Sequence, residues 1–309
     1  MRLKKIVVSS LLIFSFLIVF AFISCSTASI KEDSDNTVIN IIVSIPPQAE
    51  FVQAICKDKA SVTIMVPPGA SPHTYEPAPG HLVNVSNASL YAKVGTPVEF
   101  EINWLDKITD INKNMLVADC SKDIELIEIK KVEAAEEVLE ENDGNGHYGA
   151  DPHIWLSLKN AVLMTENIYE AVIALDPGNK DYYKNNKDLY VKQIEELDKK
   201  IRDLFESSGS RVFMSYHDSW AYFAKDYGLT QLTIEEEGKE PSPKKLKELI
   251  DLAKSENIKI IFASPELNYS SANIIADEIG GSVILISPLE KDYLKNMEKM
   301  GEELYRQLE

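Results

Sequence analysis

The stretch INIIVSIPPQAEFVQAICKDKASVTIMVPPGASPHTYEP, residues 39–77, places two short β-branched runs, INIIVS and SVTIMV, on either side of FVQAICKD. The outer runs read as buried strands and the inner one as a helix. The pattern repeats outward: SLYAKVG (89–95) and NMLVADC (114–120) read as strands, GHLVNVSNA and EINWLDKITD as helices. Beyond residue 208, SRVFMSY, LTQLTI, IKIIFAS and GSVILIS read as strands. Helices are predicted there near Ser219–Tyr227, Pro243–Ser255, Ser270–Ile279 and Glu290–Leu308. Strands alternating with helices imply parallel sheets with crossovers, so the predicted fold class is α/β, two lobes each with a mainly parallel sheet.

Between these halves, LKNAVLMTENIYEAVIALDP reads as an amphipathic helix stopped at Asp176-Pro177. A longer one follows over Asn179–Ser208, about 30 residues and about 45 Å at ~1.5 Å per residue. A single stiff helix joining two lobes acts as a strut and permits less closure than several loose strands. The expected organisation is a leader (1–25), a tether (26–37), an N-terminal lobe (38–177), a linking helix (178–208) and a C-terminal lobe (209–309).

The leader carries Arg2, Lys4 and Lys5, an apolar run from Ile6 to Ile23, then Ser24-Cys25-Ser26. That order is an export signal, and the terminal cysteine suits a lipoprotein cleavage site at which Cys25 receives the lipid. The alternative is an uncleaved anchor, since this predominantly apolar run of 18 residues falls within the ~17 to 25 that span a bilayer. Either way the rest of the chain lies outside the cytoplasm, at the cell surface or in the periplasm. TASIKEDSDN reads as a flexible tether.

The formal net charge is −17, and it becomes more negative still without the three cations of the leader. An acidic surface argues against nucleic acid, whose phosphates need a basic one. Cys56 and Cys120 could pair outside the cell or remain buried thiols, and spacing does not decide between them. From Asp123 to Asp143 there are nine acids in 21 residues, followed by GNGHYGADPH with His147. Such a run is ordinarily a solvated face.

Three of the five histidines stand at the ends of elements. His73 follows the strand SVTIMVP, His153 lies in DPHIW at a helix start, and His217 directly follows RVFMSY. Residues just past the C-terminal ends of strands line the ligand crevice of open α/β sheets. Singly, each could be a turn cap, a helix-terminal residue or a buried hydrogen-bonded ring. Jointly, three imidazoles beside prolines and acids suit a zinc site with one tetrahedral position left open.

The segments VPPGASPHTYEPAP, DPHIWLSLKNA, LDKKIRDLFESS, SYHDSWAYFAKDYGL and PSPKKLKELIDLAKSENIKIIFASPEL, in that order, resemble the periplasmic zinc/manganese-binding proteins of ABC importers. The resemblance, to the cluster related to the high-affinity zinc uptake receptor, covers essentially everything after the tether. It implies that His73, His153 and His217 are the metal ligands, with Zn2+ as the transported ion and Mn2+ possible. The third histidine favours zinc, because manganese-selective relatives commonly carry a carboxylate there. It further implies a membrane permease and its ATPase as partners, a monomer, and no enzymatic activity.

The family often has an Asp after the last strand, where ISPLEKDY puts Ser287. A serine hydroxyl is a poor zinc ligand, so the expected site is three histidines with water or a carboxylate from elsewhere. Glu266 is a candidate for that carboxylate, and an exposed loop acid is its plainer reading. Asp151, Asp218 and Glu76 are available to orient the imidazoles. Trp155, Trp220 and Tyr222 read as lobe packing, and His81 as a solvated helix residue. The acidic segment resembles a reduced form of the family's metal-collecting loop. Competing readings are a Mn2+/Fe2+ receptor or adhesin of the same family, and a secreted zinc hydrolase, against which stands the absence of an HExxH helix.

Overall fold

The computed structural model describes residues 38–129, 149–206, 208–236 and 238–308. The leader with Cys25, the tether, and residues 130–148 with His147 lie outside the described residues. Among those described, no helix is long and apolar enough to cross a membrane.

The first lobe contains β1 (Ile39–Val43), α1 (Pro46–Cys56), β2 (Ala60–Ile64), α2 (Pro79–Ser86), β3 (Leu90–Lys93), α3 (Glu99–Ile111) and β4 (Leu116–Asp119). Its four strands are parallel, in the order β2-β1-β3-β4. The second contains β5 (Val212–Ser215), α6 (Ala221–Tyr227), β6 (Thr230–Thr233), α7 (Pro243–Ser255), β7 (Ile260–Ala263), α8 (Ser270–Ile279), β8 (Ser282–Leu285) and α9 (Tyr293–Leu308). Its order is β6-β5-β7-β8, again all parallel. Between the lobes run α4 (Leu158–Leu175) and α5 (Lys180–Glu206). The expected two α/β lobes and long linking helix are therefore present.

The local differences from the sequence reading have physical causes. Helix α1 starts at Pro46 rather than near Phe51. Two prolines fit the first turn, where a missing N–H costs nothing, and the Gln48 carboxamide oxygen accepts the amides of Ser44 and Ile45 at 3.1 and 3.2 Å. Strand β2 ends at Ile64, yet the chain stays beside β1 through Met65 N–H to Val43 O (2.8 Å) and Val66 N–H to Ser44 O (3.0 Å). Pro67 and Pro68 then lack the donors to continue, so the segment carrying His73 peels away from the sheet. Helix α6 begins only at Ala221, leaving His217 in the bend that follows β5.

Helix α5 buries Tyr183, Lys187, Tyr190, Ile194, Leu197, Ile201 and Phe205, a three-and-four spacing that gives one inward stripe. Against it lies α9, whose Gly301 has a structural reason: a Cβ there would stand 2.9 Å from Ile201 Cγ1. The close approach of the two helices requires glycine. The main core thus runs from the first sheet through α4 and α5 to α9 and the inner face of the second sheet, for instance Phe213 and Phe262. A smaller core, with Met214, Leu249, Ile261 and Ile275, fills the outer face of the second lobe. Cys56 and Cys120 are both free and buried. Burial pushes the Cys56 thiol up to about 12 and Cys120 higher still, which keeps both as inert thiols.

Candidate metal centre

Every polar group in the crevice enters just beyond the carboxyl end of a strand or is pinned there. His73 follows β2, where the Ser71 hydroxyl accepts its amide (3.3 Å) and the Ser71 carbonyl accepts the amides of Thr74 and Tyr75. His153 precedes the 3-10 turn Ile154–Leu156, and the Thr96 hydroxyl beyond β3 donates to the neighbouring Pro152 carbonyl at 2.8 Å. His217 follows β5, and its carbonyl accepts from the Ser215 hydroxyl (3.0 Å) and the Gln231 amide (3.1 Å). Parallel strands all end on the same side, so side chains 80 and 64 residues apart meet there.

One nitrogen of each ring lies within 4.8 Å of one nitrogen of each of the others. The ring centroids of His73 and His217, and of His153 and His217, are 5.1 Å apart, and those of His73 and His153 are 6.2 Å apart. His217 Nε2 and His153 Nε2 stand 3.3 Å apart. Two nitrogens bound tetrahedrally at the usual ~2.0–2.1 Å from zinc are separated by about 3.3–3.4 Å. The pair is therefore already at the spacing that a shared ion needs.

Each imidazole has a carboxylate at Nδ1. His153 Nδ1 lies 2.9 Å from Asp151 Oδ1, which also accepts the His153 amide at 2.8 Å. His217 Nδ1 lies 2.5 Å from Glu235 Oε1, and His73 Nδ1 lies 2.7 Å from Glu99 Oε2. A carboxylate at Nδ1 holds the proton on that nitrogen and turns the Nε2 lone pair toward the cavity. Asp151 is among the partners read from sequence; Glu76 and Asp218 are replaced by Glu99 and Glu235. Glu76 is exposed, and Asp218 instead accepts from the Thr233 hydroxyl at 3.2 Å. Glu99 opens α3 after β3 and Glu235 follows β6, so the strand-end rule that singled out the histidines points to both acids as well.

Environment separates the rings. Burial draws His73 down, but the Glu99 carboxylate more than offsets this and holds it above the ordinary imidazole value. The same contact holds Glu99 low against its own burial. His153, 6 % exposed, is held below the ordinary value by burial despite Asp151. His81 is not simply solvated: its Nδ1 meets the Tyr75 hydroxyl at 3.0 Å, away from the trio.

The imidazoles share a cavity of about 20 Å³ with Trp155, Glu266, Leu289 and neighbouring residues. That volume suits a single water-sized occupant, not an organic substrate. Trp155 lines the cavity and donates its indole N–H to the Pro288 carbonyl at 2.7 Å, while the Tyr293 hydroxyl donates to the Trp155 carbonyl at 2.7 Å. The Tyr222 hydroxyl donates to the Asp151 carbonyl (3.0 Å) and accepts the Ile127 amide (3.0 Å). These contacts tie the His153 segment to the second half of the chain. Trp220 packs on Phe223, with ring centroids 5.8 Å apart. Ser287 does not face the trio as a lone hydroxyl; it donates to Glu266 Oε1 at 2.5 Å.

Two parallel α/β lobes around a cavity of this size, walled by three converging imidazole nitrogens, define a receptor for one small cation. The chain belongs to the family described as zinc-uptake complex component A, periplasmic, which matches residues 41–307. It is 31 % identical over 279 residues to the high-affinity zinc uptake system protein ZnuA of Bacillus subtilis (strain 168), covering 89 % of this chain and 86 % of that protein. The crystal structure of a ZnuA superposes with a TM-score of 0.79 at 35 % identity, over 88 % of this chain and all of that one. The laminin-binding protein Lmb of Streptococcus agalactiae, described as bifunctional with adhesin and metal-transporting activity, superposes with a TM-score of 0.75 at 28 % identity. It covers 88 % of this chain and 100 % of its own. Members of the family are solute-binding receptors, not enzymes, which removes the hydrolase alternative.

Proposed function

We propose that this protein captures Zn2+ outside the cytoplasm between His73, His153 and His217 and delivers it to a membrane permease driven by a cytoplasmic ATPase. The observation that carries the reading is the set of three ring nitrogens, one from each histidine, within 4.8 Å of one another, with a carboxylate beside the Nδ1 of each ring. Nitrogen donors of this softness suit zinc better than the harder manganese, and membership of a zinc-uptake family points the same way. In this reading residues 38–177 and 209–309 are the two walls of the site and 178–208 the strut between them. Cys25 carries the lipid that keeps a monomeric receptor beside its permease.

Metal analysis of the soluble part tests this directly. His73→Ala, His153→Ala and His217→Ala each lose stoichiometric zinc after dialysis against a weak chelator, while the parent protein keeps one equivalent. Full zinc content in any two variants would sink the assignment. The similarity to the laminin-binding protein supports adhesion as a second role of the same fold. A deletion strain separates the two: loss of zinc-limited growth reports import, loss of laminin attachment with normal growth reports adhesion.

A further inference from the structure

We propose that Tyr222 is a positioning residue: its hydroxyl is built into the backbone ladder that carries Asp151 and so sets His153 against His217. The proposal rests on the three-histidine reading above. Residues 127–129 and 149–151 run antiparallel, with Glu128 opposite Ala150. The Ile129 amide donates to the Gly149 carbonyl at 2.6 Å and the Asp151 amide to the Ile127 carbonyl at 2.8 Å. Residues paired in this way ordinarily exchange both bonds, so that the Ile127 amide donates back to the Asp151 carbonyl. Here the Tyr222 hydroxyl stands between the two groups. It accepts the Ile127 amide at 3.0 Å and donates to the Asp151 carbonyl at 3.0 Å. A side chain of α6 thereby forms one rung of a ladder that ends at Asp151.

Asp151 passes this placement on. Its Oδ1 accepts the His153 amide at 2.8 Å and meets His153 Nδ1 at 2.9 Å, so a shift of the Asp151 backbone carries the ring with it. The same helix grips the chain again beyond the histidine. Asp226 accepts the Ser157 hydroxyl at 2.6 Å and lies 3.1 Å from Lys159 Nζ, and Ser157 in turn caps the Asn160 amide of α4 at 3.0 Å. Residues four apart share one face of a helix, so Tyr222 and Asp226 hold the His153 segment at two points, one on each side of the ring. His217 stands four residues before α6 begins at Ala221. The helix into which the His217 bend leads is therefore the one that fixes the His153 segment. This accounts for the 3.3 Å between His153 Nε2 and His217 Nε2 across 64 residues of chain.

Burial suits the phenol to the task. Tyr222 is 3 % exposed, and burial pushes its pKa up to about 12, so the hydroxyl keeps the proton that it donates to Asp151. Its ring belongs to the main core, where phenylalanine would fill the same space. The oxygen serves the ladder: without it, Ile127 N–H and the Asp151 carbonyl close on each other directly or admit a water, and either change moves Asp151.

The test compares Tyr222→Phe with Tyr190→Phe, which removes another buried hydroxyl of the main core, one that donates to Glu50 at 2.7 Å. Zinc affinity is measured by chelator competition, and the zinc-free variants are crystallised. Both variants lower the zinc-free melting temperature, as loss of a buried hydrogen bond does. Only Tyr222→Phe is expected to weaken zinc binding, by about tenfold, and to move His153 Nε2 and His217 Nε2 away from their 3.3 Å spacing. A Tyr222→Phe affinity within about twofold of the parent would overturn the proposal. So would an unchanged spacing in its zinc-free structure, or an equal loss of affinity in Tyr190→Phe. If His153→Ala loses zinc while Tyr222→Phe binds as the parent does, only the role of Tyr222 is wrong. If His153→Ala keeps zinc, the three-histidine reading falls, and the zinc-free spacing still decides whether Tyr222 positions the ring.

Discussion

The two lobes share one strand order, 2-1-3-4, but they are anchored differently. In the first lobe, Phe51 of α1 meets Tyr293 edge-on, with centroids 4.9 Å apart, and Tyr190 at 6.1 Å. Glu50 beside it accepts the Tyr190 hydroxyl at 2.7 Å and the Tyr293 amide at 2.5 Å. One helix of the first lobe is thereby tied to both α5 and the start of α9. In the second lobe, α7 and α8 pack on the outer face of their own sheet and form the separate, smaller core. The N-terminal half of the site, which carries His73 and His153, is built into the main core, while the wall carrying Glu266 belongs to a lobe with a core of its own on one side. A receptor that must hold an ion and then release it gains from that asymmetry, because local opening draws on the less extensively packed region.

Phe51→Ala strikes the shared core. It is expected to cost about 3–5 kcal/mol in chemical denaturation, since the ring is fully buried against two aromatic neighbours. A loss below about 1 kcal/mol would mean that the three elements are not held through this contact. Ile275→Ala in the smaller core should cost about 2–4 kcal/mol. The sharper observable is hydrogen exchange: amides of α7, α8 and β8 speed up while those of α1 and β1 keep their protection. Uniform acceleration across both lobes would break the comparison, because the second core would then not open by itself.

A smaller effect is expected at the site. In the proposed site zinc and protons compete for the same ring nitrogens, and His73 holds its proton more tightly than an ordinary imidazole. A raised pKa means more of the protonated ring at a given pH, so zinc affinity begins to fall at a pH above the usual ~6.5 of histidine. Glu99→Gln removes the carboxylate responsible, which moves the release midpoint to lower pH even as affinity at neutral pH drops by about tenfold, near 1.4 kcal/mol. A midpoint that stays in place would show that Glu99 does not control the ring. Smallest of all is the response to reductant: with Cys56 and Cys120 both free, dithiothreitol leaves the melting temperature unchanged. A cross-link between them would instead contribute about 2–4 kcal/mol, readily seen as a shift.

The amino-acid sequence by itself determined the strand and helix alternation, because β-branched runs and a three-and-four apolar spacing are local properties of a chain. It also singled out the three histidines that the fold brings together, since all three flank element ends and the parallel arrangement sends strand ends to one side. Even the bounds of α7 and α8, Pro243–Ser255 and Ser270–Ile279, were legible, set by Ser242 capping the Lys245 amide at 3.3 Å and by Gly280 at φ 64°. The tertiary structure alone decided the partners. Glu99 and not Glu76 stands at His73, and Glu235 and not Asp218 at His217, because Glu76 is exposed and Asp218 is taken by the Thr233 hydroxyl of β6, while Glu99 and Glu235 arrive from adjoining strand ends. Likewise Ser287 meets Glu266 only because β7 and β8 are paired neighbours, and α9 returns to α5 only because Gly301 lets the two helices approach. Local patterns fix which segments are strands and helices; which side chains then meet depends on the register and packing of whole elements, to which spacing along the chain is blind.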